Sequence, residues 1–262
     1  MTQSPPIIAF ESVSKRYAPD APKALDAVTL EVTTGEFLAV IGASGCGKTT
    51  LLSLINRLNE PTEGTVRFEG TDLRDLDPIH LRRSMGYVFQ GVGLFPHMTV
   101  AENIAITPRL IGWNKTDIAR RVNELLDLVR LPSAEYADRQ PDALSGGQRQ
   151  RIGIARALAA RPRVVLMDEP FGALDPLTRE ALAGDYRKLH DELGLTSVMI
   201  THDMVEAVLL ADRIAVMQAG RLVEIGTPHA LLTDPRDEAA RAMMATPRHQ
   251  ADRLNALIAR GE

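Results

Sequence analysis

The segment that most constrains the fold is 42–50, which reads GASGCGKTT and follows the apolar run 37–41. A strand, a glycine-rich loop and a helix in this order form a phosphate-binding loop, whose backbone N–H groups and helix dipole face an anion. Lys48 is expected to reach the β- and γ-phosphates, and the Thr49 hydroxyl to bind Mg²⁺. We therefore expect a bound nucleoside triphosphate. The residues expected to contact it are Gly42, Ala43, Ser44, Gly45, Cys46, Gly47, Lys48, Thr49 and Thr50.

The composition is that of a globular protein able to bury a large core. The chain has 262 residues, 45% hydrophobic and 24% charged, which suits one large α/β domain or a domain with an inserted subdomain. A net charge of −4 and an aromatic content of 4% argue against nucleic-acid binding. The single cysteine excludes an internal disulfide and is typical of the reducing cytoplasm. Without a signal peptide or an apolar run of about 20 residues, a membrane role is expected only through a partner.

Two kinds of apolar pattern predict strands. The alternating segments, typical of a half-solvated antiparallel subdomain, are 7–17, 24–32 and 65–70. The continuously apolar segments, typical of strands covered on both faces, are 37–41, 86–90, 163–168 and 196–201. A last hairpin, formed by 214–218 and 221–225, is expected to turn at 219–220.

Between residues 91 and 161 the pattern changes to helices, which predicts an inserted helical subdomain. One helix is expected to begin at Asn114 or Thr116, with the apolar face Ile118, Val122, Leu125, Leu126 and Val129. Beyond residue 235 another helical region is predicted, with a narrow apolar stripe at Leu254, Leu257 and Ile258. We therefore expect a domain at 1–234, the helical subdomain inserted at 91–162, and a helical tail at 235–262.

Polar side chains follow three of the buried strands. Asp168 and Glu169 end one strand, where two acids are unfavourable without a cation. Asp168 suits a carboxylate that binds Mg²⁺ either directly or through a water, and Glu169 suits the group that polarises an attacking water in phosphoryl transfer. Gln90 is either an ordinary strand-end residue or an amide that faces the ligand crevice. His202 is either structural or catalytic.

The run LSGGQ at 144–148 has two interpretations. Ser145 and Gln148 have capping-box spacing ahead of a predicted helix that extends to Ala160. Capping does not require Gly146 and Gly147, which destabilise a first helical turn. Adjacent glycines would instead expose backbone N–H groups to an anion.

Taken together and in this order, these segments resemble the ATP-binding-cassette ATPases from about residue 7 to about residue 232. The run 144–148 is the discriminating motif, because many NTPases share a phosphate loop and an acidic strand end. The resemblance implies an α/β fold with a P-loop NTPase (RecA-like) core, an antiparallel β-subdomain and an inserted α-helical subdomain. It implies ATP and Mg²⁺ as cofactors, and a head-to-tail homodimer or pseudo-dimer in which 145–148 serve the ATP of the opposite protomer.

The resemblance also assigns roles that the local pattern leaves open. Tyr17, which could equally pack within a strand, is implied to stack on the adenine. Gln90 is implied to sense the metal and the water, and His202 to contact the γ-phosphate. Asp175 is implied to lie in the loop that joins two protomers. The implied metal ligands are Thr49, Gln90 and Asp168.

A subset of segments resembles the osmoprotectant importers, which move glycine betaine, choline, carnitine or proline betaine; these segments are 55–58, 77–78, 81–90 and 93–104. This implies a peripheral ATPase subunit at the cytoplasmic face of the cell membrane, working with permease subunits and indirectly with an extracytoplasmic solute-binding protein. Because such a subunit does not touch the solute, another small polar solute such as an amino acid remains an alternative. Several relatives continue into paired CBS modules, whereas this sequence ends at Glu262, so self-contained osmotic gating is not implied.

Two readings from other classes fit less well. Soluble cassette proteins that act on nucleic acid or ribosomes usually join two cassettes or insert long coiled coils, and this acidic chain has neither. A metabolic kinase would leave the run 144–148 without a role.

Two further expectations concern an apolar segment and the single cysteine. The apolar residues that follow Gln90 are expected either to line an exposed groove for a short helix of the membrane subunit or to fill the subdomain core. They are Leu94, Phe95, Pro96, Met98 and Val100.

Cys46, beside Lys48 at the amino end of a helix, is expected to be a reactive thiol that faces the phosphates but has no catalytic role.

Overall fold

The structure is a computed structural model that describes residues 6–245. The described residues fall into two compact units. The first unit comprises 6–72 and 200–245, and the second comprises 73–199. The division predicted above, with a subdomain inserted at 91–162, stays a prediction.

The strands are β1 Pro6–Lys15, β2 Leu25–Thr33, β3 Phe37–Gly42, β4 Glu63–Phe68, β5 Thr71–Asp72, β6 Met85–Val88, β7 Val164–Asp168, β8 Thr196–Ile200, β9 Arg213–Gln218 and β10 Arg221–Gly226. The helices are α1 Lys48–Ile55, α2 Pro78–Ser84, α3 Val100–Leu110, α4 Lys115–Leu128, α5 Ser133–Tyr136, α6 Gly146–Leu158, α7 Pro176–Leu193, α8 Met204–Leu210 and α9 Pro228–Thr233. Residues 238–245 are also helical. None of the helices within 6–245 is both long and apolar enough to cross a membrane.

The first unit contains an antiparallel sheet in the order β2-β1-β4-β5. Its register sets Phe10 of β1 opposite Leu30 of β2 on one side and Val66 of β4 on the other. A second group of strands joins β3 in parallel to β9, which pairs with β10 in an antiparallel hairpin. Every residue of β3 is buried, as expected of a strand covered on both faces. The carboxyl ends of β3 and β9 therefore lie side by side.

The second unit joins β6 and β7 in parallel, with Gly86 opposite Val165. The N–H of Thr196, at the start of β8, donates to the carbonyl oxygen of Arg163 at 2.9 Å. Helices α3, α4 and α6 pack on one another, and α6 also packs on β6. The first four residues of β7 are buried, so its last residue, Asp168, is the first to reach solvent.

Most of the predicted elements are confirmed within a few residues. Helix α4 begins after Asn114, whose side chain caps it, and the predicted apolar face is buried. The predicted ends of two strands are wrong by two residues. Strand β1 ends at Lys15 and β6 at Val88, so Tyr17 and Gln90 each lie two residues beyond a strand. The predicted tail stripe at Leu254, Leu257 and Ile258 lies outside the described residues.

Candidate functional site

The phosphate loop of the first unit runs from the end of β3 to the start of α1. Gly47 caps α1 with φ of 107°, and a Cβ there would clash with the carbonyl oxygen of Ala24. Gly45 has φ of 77°, a left-handed conformation that only glycine adopts readily. Residues 43–45 are exposed, as a loop that offers N–H groups to an anion must be. This is the arrangement expected of a phosphate-binding loop.

The ammonium of Lys48 lies inside this loop. Its Nζ donates to the carbonyl oxygens of Gly42 at 2.7 Å and Ala43 at 3.1 Å, and the side chain is buried. A buried ammonium requires such partners. These two bonds hold the ammonium within the loop, where phosphate oxygens are its expected partners.

His202 lies on the same side of the first unit as the phosphate loop. Both border a cavity of about 740 Å³, which is lined by Gly42, Ala43, Ser44, His202, Asp203, Met204, Val205, Gln218, Ala239, Ala242 and Met243. The N–H of Thr201 donates to the Val40 oxygen at 3.2 Å, and Asp203 caps α8. The strand end and the helix start thus hold His202 from both sides.

Cys46 does not face the space above the loop. It is only 6% exposed, and a Cβ added at Gly42 would lie 2.6 Å from its Sγ. Reaction with a bulky reagent requires an accessible thiol. The expectation of a reactive thiol is therefore wrong, because the side chain packs beneath the loop. Its backbone still belongs to the loop.

Tyr17 stands beside the helix that follows the phosphate loop. Its hydroxyl lies 3.2 Å from Thr50 Oγ1, and its side chain is 59% exposed. The ammonium of Lys15 lies 5.3 Å from the centroid of the ring. An exposed aromatic ring next to the loop suits stacking on a base better than core packing.

In the second unit, the structure brings Gln90 to Glu169. Gln90 Nε2 donates to Glu169 Oε2 at 3.1 Å, across a separation of 79 residues. Glu169 has φ of 44°, a left-handed conformation that costs about 1–2 kcal/mol for a residue with a Cβ. Such strain is often retained at functional sites. Burial, followed by the charge of the nearby Asp168, raises the pKa of Tyr87 above its ordinary value.

The run 144–148 forms the predicted capping box at the start of α6. Gln148 N donates to Ser145 Oγ at 3.2 Å, and Ser145 N donates to Gln148 Oε1 at 2.9 Å. The structure adds a packing reason for one glycine, because a Cβ at Gly147 would lie 2.7 Å from Thr178 Cγ2. A Cβ at Gly146 would meet only Leu174, at 3.8 Å. The capping interpretation is thus confirmed, and anion binding by 145–148 stays a prediction.

Asp175 caps α7. Its Oδ1 accepts from Thr178 N at 3.1 Å, and hydrogen bonds from the Thr178 side chain and backbone lower the pKa of its carboxyl group. Leu177, in the first turn of the helix, is highly exposed. The cap explains the acid locally, and its role between protomers stays a prediction.

The apolar residues after Gln90 divide between the two predicted interpretations. Val100 is fully buried in the core of the second unit. Phe95, 44% exposed, borders a cavity of about 340 Å³ with Phe89 and Gly93. An exposed groove therefore exists, and of the five predicted residues Phe95 is the one that lines it.

Sequence reasoning missed Arg156, which contacts the segment that follows Gln90. Its Nη1 donates to the Gly93 oxygen at 2.6 Å and its Nη2 to the Val92 oxygen at 2.8 Å. Burial lowers the pKa of this guanidinium. The sequence carried one signal, since Arg156 is the only charged residue in the otherwise apolar run 152–160.

The donor set fits a nucleotide-bound Mg²⁺ better than a protein-only metal centre. Within 6–245 there is no cluster of three His, Cys, Asp or Glu side chains that could hold a metal ion. Mg²⁺ in nucleotide sites takes one or two carboxylates, with phosphates and waters supplying the rest. In the second unit, Asp168 offers one carboxylate at a strand end. In the first unit, Thr49 is an exposed residue next to Lys48.

A family model described as ABC transporter matches residues 25–172. The choline transport ATP-binding protein OpuBA of Bacillus subtilis is 50% identical over 88% of this chain and 60% of its own length. The glycine betaine uptake system ATP-binding protein YehX of Escherichia coli is 47% identical over 90% of this chain and 75% of its own. The spermidine/putrescine import ATP-binding protein PotA of Acidothermus cellulolyticus is 47% identical over 88% and 60%. The chain thus spans about three fifths of the length of OpuBA and PotA.

Solved structures confirm the predicted fold class. The ATP-binding cassette MJ0796, in a dimeric post-hydrolysis state bound to ADP and Pi, aligns with a TM-score of 0.75 at 34% identity. The match covers 84% of this chain and 98% of that one.

Proposed function

The chain belongs to the ABC transporter family, and from that premise we propose that it is the ATP-hydrolysing subunit of an importer for a quaternary-ammonium osmoprotectant. The observation that carries the proposal is its 47–50% identity, over 88–90% of its length, with proteins named for choline transport and glycine betaine uptake. The preformed phosphate loop and the Gln90–Glu169 contact support the hydrolytic part.

In the proposed reaction, the N–H groups of the phosphate loop and the Lys48 ammonium bind the phosphates of ATP. Glu169 polarises the attacking water, and Gln90 orients it through the bond to the Glu169 carboxylate. His202 contacts the γ-phosphate. When bound, Mg²⁺ would be held by Thr49, Asp168 and Gln90 and would supply positive charge to neutralise the phosphates.

The proposed active unit is a dimer in which 145–148 and Asp175 act across the interface between protomers. Three features support it: the N–H groups of 146 and 147 at the start of a 13-residue helix, the exposed Leu177, and the dimeric state of MJ0796. The formation of the capping box leaves those N–H groups directed out of the helix.

The proposed partners are integral membrane permease subunits, which an extracytoplasmic solute-binding protein serves indirectly. The subunit would then be peripheral at the cytoplasmic face of the membrane. The cavity of about 340 Å³ beside Phe95, here called the Phe95 groove, is the proposed docking site for a short permease helix. Nucleic acid is not proposed as a partner because the net charge is −4.

Phe95→Glu should uncouple ATP hydrolysis from transport. A charge at this half-exposed position opposes burial of an apolar helix in the Phe95 groove, and the cost of about 1–3 kcal/mol lowers permease affinity about 5- to 150-fold. Permease binding, solute uptake and basal ATPase activity measure the effect. Leu110→Glu is the matched control, since Leu110 is also exposed, at 55%, and does not line the groove. Unfolding of the Phe95 variant would instead favour the core interpretation.

The function itself is tested by purifying the tagged protein from membranes and by measuring uptake. Permease subunits are expected to accompany it, and uptake of labelled choline or glycine betaine should depend on it. The 47% sequence identity with PotA makes a polyamine importer the second candidate, so the same assay includes spermidine. It also includes an amino acid, the alternative solute predicted from the sequence. Recovery without any membrane partner, or unchanged uptake of every solute in its absence, would contradict the proposal.

A further inference from the structure

The turn directly after Gln90 has an unfavourable backbone. Three successive residues have positive φ: Gly91 at 73°, Val92 at 70° and Gly93 at 56°. Glycine tolerates this conformation, but a β-branched side chain such as that of Val92 disfavours it strongly. Such a turn persists only where its surroundings hold it in place.

Arg156 of α6 supplies that support. Its guanidinium donates to the oxygens of both Val92 and Gly93, at 2.8 and 2.6 Å, and lies 5.8 Å from the centroid of the Phe89 ring. One helical turn earlier, Gly153 leaves room for Val92, since a Cβ there would lie 3.1 Å from Val92 Cγ1. The same face of α6 therefore both accommodates the turn and binds it.

The two bonds need a planar, forked donor. Arginine presents parallel N–H groups that reach two neighbouring acceptors at once. The lysine ammonium is a compact point charge without this fork, so it does not reproduce the same pair of bonds. The site is buried, so an incomplete set of bonds leaves a carbonyl oxygen without its partner.

We propose that Arg156 is a positioning residue for hydrolysis: by fixing the turn 91–93, it holds the Gln90 amide on the Glu169 carboxylate. The proposal rests on the proposed ATPase function and deepens it. The bonds of Arg156 go to the turn, and it acts through Gln90. It also borders the Phe95 groove, so it is the side chain that links the groove to the turn.

The test compares Arg156→Lys with Arg121→Lys in the full-length protein. Arg121 is the matched control, because its guanidinium also donates to two backbone oxygens of α6 and its continuation, Leu158 at 2.9 Å and Ala159 at 3.4 Å, away from the turn. Arg156→Lys should lower kcat about 10- to 100-fold with an unchanged KM for ATP, since a small displacement of a catalytic group has effects of this size. Arg121→Lys should leave kcat unchanged, even if the two variants lose similar amounts of thermal stability.

A double-mutant cycle then asks whether Arg156 acts through Gln90. In a Gln90→Ala background, Arg156→Lys should lower kcat no further, whereas independent effects would multiply. Gly153→Ala is a second perturbation of the turn, because its Cβ would lie 3.1 Å from Val92 Cγ1 and displace that side chain, whereas alanine itself favours the helix. Measured at a temperature where the variant is fully folded, it should lower kcat, and it tests the proposal independently if Arg156→Lys fails to fold.

The positioning role would be overturned if Arg156→Lys were fully active, or if its effect and that of Gln90→Ala multiplied in the cycle. If Arg156→Lys does not fold, full activity of Gly153→Ala would overturn it. None of these outcomes would affect the proposed ATPase function. Absence of ATPase activity in the wild-type protein would overturn the proposed function and this role with it.

Discussion

Glu169→Gln should lower ATP turnover about 100- to 10,000-fold while ATP still binds, because the variant removes the proposed general base and keeps the size of the side chain. The amide oxygen can still accept the bond from Gln90 Nε2 that the carboxylate accepts at 3.1 Å. Binding and dimerisation are thereby preserved while hydrolysis is blocked. The variant should accumulate as a stable ATP-bound dimer, which light scattering during size-exclusion chromatography with and without ATP will detect.

The control for this variant is Glu180→Gln, which removes an exposed carboxylate from α7 of the same unit. Its turnover and its monomer–dimer equilibrium should match those of the wild type. Near-normal hydrolysis by Glu169→Gln would show that another group activates the water.

Lys48→Ala should weaken ATP binding by at least about 100-fold, corresponding to about 3 kcal/mol, since it removes the charge that neutralises the phosphates. It also leaves the oxygens of Gly42 and Ala43 without the donor that lies 2.7 and 3.1 Å away in the native loop. Titration calorimetry with ATP measures the first effect and thermal unfolding the second.

Lys188→Ala serves as the control, because Lys188 is exposed on α7 and the substitution removes the same charge. ATP affinity equal to that of the wild type is expected. If Lys48→Ala binds ATP as tightly as Lys188→Ala does, the loop at 42–50 is not the phosphate site.

The local features that sequence reasoning could predict depend on short-range chemistry. The glycines of 42–50, the cap at Ser145 and the acid pair that begins with the last residue of β7 all lie within a few residues of the element that explains them. The spacing of apolar residues likewise predicted most strands and the buried face of α4.

The remaining features depend on contacts between distant segments. Cys46 is buried because its side chain packs on Gly42 beneath the loop, although its neighbours in sequence suggested an accessible thiol. Gly147 is required by Thr178, a residue of another helix. The Arg156 guanidinium binds carbonyl oxygens 63 and 64 residues earlier, a pairing that no local pattern indicates.

The two bonds from Lys48 to its own loop have a consequence for the exchange of nucleotide. Because the ammonium is bound to the oxygens of Gly42 and Ala43, the loop is ordered by contacts within the chain itself. The conformational entropy of ordering the loop is therefore lost when the chain folds, and we expect little of that cost to oppose nucleotide binding.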